Sequence, residues 1–315
     1  MSEITSAMIR ELRERTQAGM SDCKNALVEA VGDIEKAVEI ILKKGIVKAA
    51  ARAGRVATEG EIRTIVSADA RCGTIVEINC QTDFVSRGDD FKKFVHNVAV
   101  LAAGRGQRDD LLTMKYPGTD KTVDTVRQEL IAKTGENCVV RRWETLHAPE
   151  GAGLVHAYVH TGGKLAVLVS VSAPNVDAIK DSEFVRFADN CAMQIAAMSP
   201  VVVGKTDLSD LQVAKQKEIF EAQLKEENKP EKAWAKIIEG KLAKWYTEVT
   251  LLGQDRVWRD SDEDVGGTID AYRVALGKKL GGEIVVTAFL RFALGEGIEK
   301  KVDNLADEVA KLAAS

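Results

Sequence analysis

The sequence predicts an α+β protein: an N-terminal three-helix bundle, then two related α+β subdomains, the second carrying an inserted helical hairpin. Three observations predict it. Residues 3–44 hold apolar side chains at helical spacing and break twice at glycine. Two runs rich in β-branched residues each turn on glycine, as hairpins do. The helical runs that follow them match one another: Asp90-Phe91-Lys92-Lys93-Phe94-Val95-His96-Asn97-Val98-Ala99 against Glu183-Phe184-Val185-Arg186-Phe187-Ala188-Asp189-Asn190-Cys191-Ala192. Acid, aromatic, base, aromatic, Asn and Ala recur in the same order.

The first helix buries Met8, Ile9 and Leu12 and ends at Gly19. Ser21 or Asp22 is expected to cap a second helix carrying Cys23, Ala26, Leu27 and Ala30. Gly32-Asp33 restarts the chain into a third, with Ile34, Ala37, Val38, Ile41 and Leu42 on one face and Lys43 and Lys44 toward the negative end of its dipole. Residues 45–60 are alanine-rich and basic (Lys48, Arg52, Arg55) and read as a helical linker. No aromatics are interleaved there for base stacking, so a solvated helix face explains the run better than a nucleic-acid contact.

The first hairpin is expected over 62–67 and 74–80, turning at 70–73. The second is expected over 154–160 and 165–171, turning at 161–163. A helix over 122–134 and a strand over 138–146 complete the first subdomain. In the second, Leu208, Leu211, Ile219, Phe220 and Leu224 run at helical spacing, Asn228-Lys229-Pro230 turns, and Trp234, Ile237, Ile238, Leu242 and Trp245 resume the spacing, which is an α-helical hairpin. A strand over 284–294 and a helix over 302–314 close the chain. The expected boundaries are 1–56 for the bundle and linker, 57–149 and 150–300 for the subdomains (hairpin about 207–246), and 301–315 for the last helix.

At 315 residues the chain is long for one core, which fits this division. The net charge of −4, from 44 basic and 48 acidic residues, argues against a general nucleic-acid binder and suits a protein that docks on another protein. The polar start, Met1-Ser2-Glu3-Ile4-Thr5-Ser6, lacks the charged and apolar regions of a secretory signal. No apolar run approaches the roughly 18 residues of a membrane span. The five cysteines, Cys23, Cys72, Cys80, Cys138 and Cys191, are odd in number and without CxxC spacing, so reduced thiols in a cytoplasmic protein are expected.

Enzyme motifs are missing. Neither GxxxxGK[ST] nor GxGxxG occurs, and Gly162-Gly163-Lys164 reads as a hairpin turn. His156 and His160 share one face of a strand two pleats apart and have no evident third ligand, so structural or contact histidines are expected, with no metal and no cofactor. An uncharacterised enzyme would need a deep pocket lined by these histidines and carboxylates.

The segment Ile78-Asn79-Cys80-Gln81-Thr82-Asp83-Phe84-Val85 is unusual, because a strand ends in polar residues and an aromatic follows an aspartate just before a helix. Phe84 either folds back to anchor the loop or stands exposed as a wedge on a rigid junction. Here the sequence resembles a known family. Leu12-Arg13-Glu14-Arg15-Thr16, with Ala18-Gly19-Met20 and Asp22-Cys23-Lys24, is similar to the N-terminal signature of elongation factor Ts, and Asn79-Cys80-Gln81-Thr82-Asp83-Phe84-Val85 resembles its second signature. Gly135-Glu136-Asn137 with Arg141-Arg142, Lys236-Ile237-Ile238-Glu239-Gly240-Lys241-Leu242, Leu251-Leu252, Gln254 and Gly295-Glu296-Gly297-Ile298-Glu299 continue the likeness in the family's order, from about residue 3 to 313. Ser21 departs from the methionine common in the family, Asp255-Arg256 from Pro-Phe, and 258–279 is atypical.

The resemblance implies a bundle of the ubiquitin-associated type, a projecting helical hairpin through which some members form homodimers, and a non-enzymatic role in translation elongation: guanine-nucleotide exchange on elongation factor Tu. It implies that Thr82, Asp83, Phe84 and Val85 dislodge the partner's magnesium ion. It also implies that Leu12, Met20, Ser21, Lys24, Gly135, His160, Gly162 and Gly163 bind the partner. A scaffold or chaperone-like binder using the bundle is the alternative.

Overall fold

The computed structural model describes residues 4–16, 18–52, 55–105, 110–259 and 267–299, with side chains at 42 and 45–52 outside that description. Helices α1 (Ser6–Thr16), α2 (Met20–Glu29) and α3 (Ile34–Arg52) form the N-terminal bundle around Leu12, Cys23, Ala26, Leu27 and Ala37, all fully buried. The expected Ser21 or Asp22 cap is corrected. Gly19, extended at φ −62 and ψ 148, is the N-cap, and its carbonyl accepts the Cys23 N–H at 3.0 Å. A glycine already extended there starts the helix earlier, and Asp22 falls in its first turn, where it complements the dipole. The first half of the expected linker, as far as Arg52, is more of α3, and Glu59 and Gly60 at its end are strand. The predicted burial of Leu42 and the helix over 301–315 lie outside the described residues.

The first half continues with β1 (Glu59–Val66), β2 (Cys72–Cys80), α4 (Asp83–Arg87), α5 (Asp89–Ala102), α6 (Val123–Thr134) and β3 (Cys138–His147). The second runs through β4 (Gly153–Val159), β5 (Leu165–Ser172), α7 (Ser182–Met198), α8 (Asp210–Glu226), α9 (Glu231–Val249), α10 (Ile269–Lys279) and β6 (Val285–Ala293). Each half holds one antiparallel three-stranded sheet, in the orders β1-β2-β3 and β4-β5-β6. Phe91, Phe94, Val95 and Val98 of α5 pack on Val76, Ile78 and Cys80 on the outer face of the first sheet. Phe184, Phe187 and Cys191 of α7 pack on Val167, Val169 and Val171 of the second. The inner faces meet through Ile62, Ile75, Val155, Ala166, Leu168 and Phe292. The layers are therefore helix, sheet, sheet, helix, and the central strands β2 and β5 bury both of their faces.

The repeat is more complete than the matched helices suggested. Ile62 donates its N–H to the Gly163 carbonyl at 2.7 Å, and Val155 donates to the Ala70 carbonyl at 2.7 Å. Ala148 donates to Arg71 and Leu294 to Lys164 in the same reciprocal way. The two halves thus pack about a pseudo-twofold axis, each hairpin turn seated on the other half's first strand. Both turns need a left-handed residue at the seat, Ala70 at φ 55 and Gly163 at φ 66. The bulges also correspond, at Glu77/Ile78 in β2 and Ser170/Val171 in β5.

Helix α10, which the sequence reading passed over, is the counterpart of α6. Thr122 and Thr268 cap them by accepting the N–H groups of Thr125 and Ala271. The ion pairs Arg127–Asp124 and Arg273–Asp270 correspond, and the two arginines donate to the carbonyls of Cys138 and Ile284. Left-handed Gly135 and Gly281 follow the two helices. The α8–α9 hairpin is inserted before this second copy. Two helices alone can bury only one seam: Leu224 and Leu242 are buried, whereas Leu211, expected on the apolar face, is 79% exposed. Leu208 precedes α8 rather than lying on it. Among the described residues no helix is long and apolar enough to cross a membrane.

Candidate functional site

Strand β2 is buried from Gly73 to Cys80 and delivers the chain to its end without freedom of direction. Thr82 then turns it, extended at φ −125 and ψ 158, and caps α4 by accepting the Val85 N–H. Gly88 closes this short helix and opens α5, its own N–H returning to the Val85 carbonyl at 3.0 Å. Neighbouring positions on a helix point about 100° apart, and on this five-residue helix the core meets only one of Phe84 and Val85. Val85 packs against the α5 cluster, and Phe84 is 86% exposed, the largest exposure of any large apolar side chain described. The anchor that Phe84 offered as one of its two readings is therefore supplied by Val85. Asp83 pairs with Arg87 at 2.8 Å one turn on, an exposed pair that holds the carboxylate only weakly.

The junction is fastened from below. The carboxylate of Glu136 accepts both the Thr82 N–H (2.9 Å) and the Thr82 hydroxyl (2.7 Å). The Asn137 N–H donates to Gln81 Oε1 at 2.8 Å, and the Cys80 thiol donates to the Thr82 carbonyl at 3.2 Å. Glu136 reaches this place because Gly135, at φ 80, reverses the chain after α6 and sends it into β3 beside β2. Glycine tolerates that conformation without a Cβ clash.

The expected partner residues divide into groups. Gly135 immediately precedes Glu136, which bonds Thr82. His160 and the Gly162-Gly163 turn come to the same end of the sheets, because Ile62 of β1 bonds Gly163 and Lys164 pairs with Glu59, which stands opposite Cys80. Met20, Ser21 and Lys24 are exposed at the start of α2, Met20 at 60%. They belong to a separate module, which meets the first half through α3 and α6. Leu12 is corrected: it is 0% exposed in the bundle core, packed with Cys23, Ala26 and Leu27, so it has no surface to offer a partner.

Below the junction lies a charged group that the sequence reading left unexplained. Glu77 is fully buried at the β2 bulge, and its carboxylate accepts from Arg141 (2.8 Å), Arg142 (2.6 Å) and the Gly295 N–H (2.8 Å). Burial works to raise its pKa, but the Gly295 amide and the two guanidinium groups outweigh that and hold it below the usual glutamate value. Arg142 also lies 4.0 Å over the ring centroid of Phe292, so the group ties β2 and β3 to the end of β6. Cys80 and Cys138 stand opposite one another in the sheet, each pushed up to about 12 chiefly by burial, and both are neutral thiols at neutral pH.

His156 bonds Asp189 at 3.0 Å and His160 bonds the Tyr158 hydroxyl at 2.9 Å, so the two imidazoles are committed to different neighbours. Among the described residues no cluster of three or more His, Cys, Asp or Glu could hold a metal ion. A groove of about 500 Å³ separates the bundle from α5 and α6, lined by Val38, Ile41, Phe94, Tyr116 and Leu130 among others, and neither histidine borders it. Glu136 and Glu77 were missed as supports of the site. Glu136 was legible only as part of Gly135-Glu136-Asn137, and nothing local in the sequence pairs it with Thr82.

The family model described as Elongation factor TS matches residues 81–296. The chain is 43% identical over 312 residues to "Elongation factor Ts" of Clostridium perfringens strain SM101, covering 98% of this chain and 99% of that protein. It is 43% identical over 313 residues to "Elongation factor Ts" of Clostridium kluyveri, covering 98% of each. It is 42% identical over 313 residues to that of Nautilia profundicola, covering 98% and 99%.

Proposed function

The chain belongs to the elongation factor Ts family, and from that premise we propose that it is a guanine-nucleotide exchange factor for elongation factor Tu, without covalent chemistry of its own, working in the cytoplasm. The observation that carries the reading is Phe84, 86% exposed on a junction braced from below. Burying no contact of its own fold, the ring is free to insert elsewhere.

A GTP-binding protein holds GDP through phosphate-loop amides, a lysine and a bridging magnesium ion. Phe84 acts as a wedge that shifts the partner's packing beside that loop. Asp83, leaving its exposed pair with Arg87, disturbs the polar network around the magnesium-bound waters, while Thr82 and Val85 set the direction of the wedge. Moving an equilibrium by roughly 10⁴-fold needs about 5.5 kcal/mol of differential binding. One buried Phe supplies roughly 1.5–3 kcal/mol. The rest comes from the other exposed groups: Met20, Ser21 and Lys24 on the bundle, and His160 with the Gly162-Gly163 turn beside the wedge. Coupling is reciprocal, so GDP weakens this protein's grip by the factor by which this protein weakens the grip on GDP. The exposed Leu211 and Ile219 of the hairpin favour a further contact with a second copy of the chain, which sedimentation of the wild type against Leu211→Glu would test.

The direct test is release of a fluorescent GDP analogue from elongation factor Tu under excess unlabelled GDP. Substoichiometric amounts of this protein should accelerate release catalytically. No acceleration by the folded chain would remove the exchange reading and leave a binding scaffold.

A further inference from the structure

We infer that Glu136 is a positioning residue for exchange: it sets the direction of the Phe84 wedge by clamping Thr82, and the fold itself does not need it. The inference rests on the wedge reading and concerns what makes the wedge rigid.

The geometry is specific. One carboxylate takes both donors of one residue, the Thr82 N–H at 2.9 Å and its hydroxyl at 2.7 Å, across the gap between α6 and the end of β2. That same hydroxyl accepts the Val85 N–H, so the clamp is continuous with the first turn of α4. Charge-assisted bonds of this kind are stronger than neutral ones and fix geometry as well as energy. With its backbone N–H and side chain both held, Thr82 has little freedom to let α4 swing, and Phe84 projects from the second residue of that helix.

The molecule contains its own control. Asn175 is the counterpart of Thr82: its Oδ1 accepts the Ala178 N–H at 2.9 Å, the same three-residue step as in the first half. Gly281 is the counterpart of Gly135, with φ 84 against 80, so the residue matching Glu136 is Gly282, which packs on Pro174 and offers no carboxylate. The second junction folds into a short turn over 178–180 and is tied across the same gap by a single neutral bond, Asn175 Nδ2 donating to the Leu280 carbonyl at 3.3 Å, with no carboxylate, and in place of Asp83-Phe84 it carries Val176-Asp177. The same architecture thus closes without the carboxylate where no aromatic is displayed, and has it where Phe84 stands out. A residue required by the fold would be expected in both copies.

The test compares Glu136→Ala, Glu136→Gln, Phe84→Ala and Glu136→Ala/Phe84→Ala in the nucleotide-release assay, with thermal unfolding and amide hydrogen exchange on the same full-length proteins. Glu136→Ala should lower the maximal exchange rate at saturating factor roughly tenfold. Glu136→Gln, which keeps one acceptor, should fall between it and the wild type. Amides of residues 81–88 should exchange at least about tenfold faster, with cooperative unfolding retained. In the Phe84→Ala background the Glu136 substitution should add little, because the wedge that it aims is gone. If Phe84→Ala slows release and Glu136→Ala does not, the positioning role is overturned and the wedge stands. A full effect of Glu136→Ala in the Phe84→Ala background would also overturn it, showing that Glu136 acts apart from the wedge. If neither substitution slows release, the wedge reading falls and the inference with it. Should Glu136→Ala fail to unfold cooperatively, the statement that the fold does not need Glu136 is overturned, and a folded Glu136→Gln then decides the clamp alone: faster exchange of 81–88 supports it and unchanged protection there refutes it.

Discussion

Phe84→Ala separates the wedge from the fold. The ring is 86% exposed, so truncation deletes almost no internal contact. A surface change of this kind alters stability by no more than about 0.5 kcal/mol. In the complex the ring becomes buried, a gain of roughly 1.5–3 kcal/mol, and all of it is lost with the side chain. At about 1.4 kcal/mol per tenfold, exchange should slow by roughly 10- to 150-fold. Against the about 5.5 kcal/mol needed for a 10⁴-fold shift, that is a quarter to a half of the whole, so the variant should still outpace spontaneous release. Stopped-flow release of the labelled nucleotide over a range of factor concentrations measures the loss, and denaturant unfolding checks the fold. Unchanged exchange would refute the wedge. A large drop in unfolding free energy would show that the ring anchors the loop after all. A fall to the spontaneous rate in a folded variant would contradict the division of the work among several contacts.

Three further outcomes follow from the supports beneath the site. Glu77 titrates below its ordinary value in the folded chain, so its group stabilises the fold above about pH 4.3 and loses that contribution as pH falls through the lowered value; Glu77→Gln should cost about 2–3 kcal/mol in urea unfolding at pH 7 and flatten the acid side of the stability curve, and an unaltered acid side would refute the latch. Gly60 sits at φ +140 with a Cβ position 2.1 Å from the Ile78 carbonyl oxygen, so Gly60→Ala should destabilise by about 3 kcal/mol in the same measurement, and a neutral substitution would mean that β1 can move away from β2. Cys80, Cys138 and Cys191 are buried and their thiols raised, so in a timed Ellman reaction they should stay unmodified in the native chain over the interval in which the unfolded chain loses all five thiols; rapid modification of Cys80 would mean that the Thr82 junction opens easily.

The legible features were those whose signal is local. The three helices of the bundle, both hairpins and the α8–α9 insertion lie close to where periodicity and glycine placed them, because a packed face imposes its repeat on neighbouring residues. Helix α10 escaped notice because its resemblance to α6 lies in the sparse set Asp270, Arg273, Leu276 and Gly281, separated from its own hairpin by the inserted helices. The early start of α2 at Met20 escaped because an extended glycine can stand in for a polar cap. Periodicity placed Leu12 on the buried face of its helix, and only the resemblance named it as a partner contact, because a short signature motif does not say which of its members face inward.

By itself the sequence determined the α+β class, the repeat, the family resemblance and the residues of the candidate wedge, since these depend on residue identity and spacing along one chain. Tertiary structure alone decided that Val85 turns in and Phe84 out, that Glu136 grips Thr82, that Glu77 gathers Arg141, Arg142 and Gly295, and that the 160–163 turn comes to the wedge's end of the sheets. The physical reason is that each of these depends on groups brought together by packing the two halves across a pseudo-twofold axis, or on the phase of a five-residue helix set by what lies beneath it. Neither quantity is written in any local run of residues.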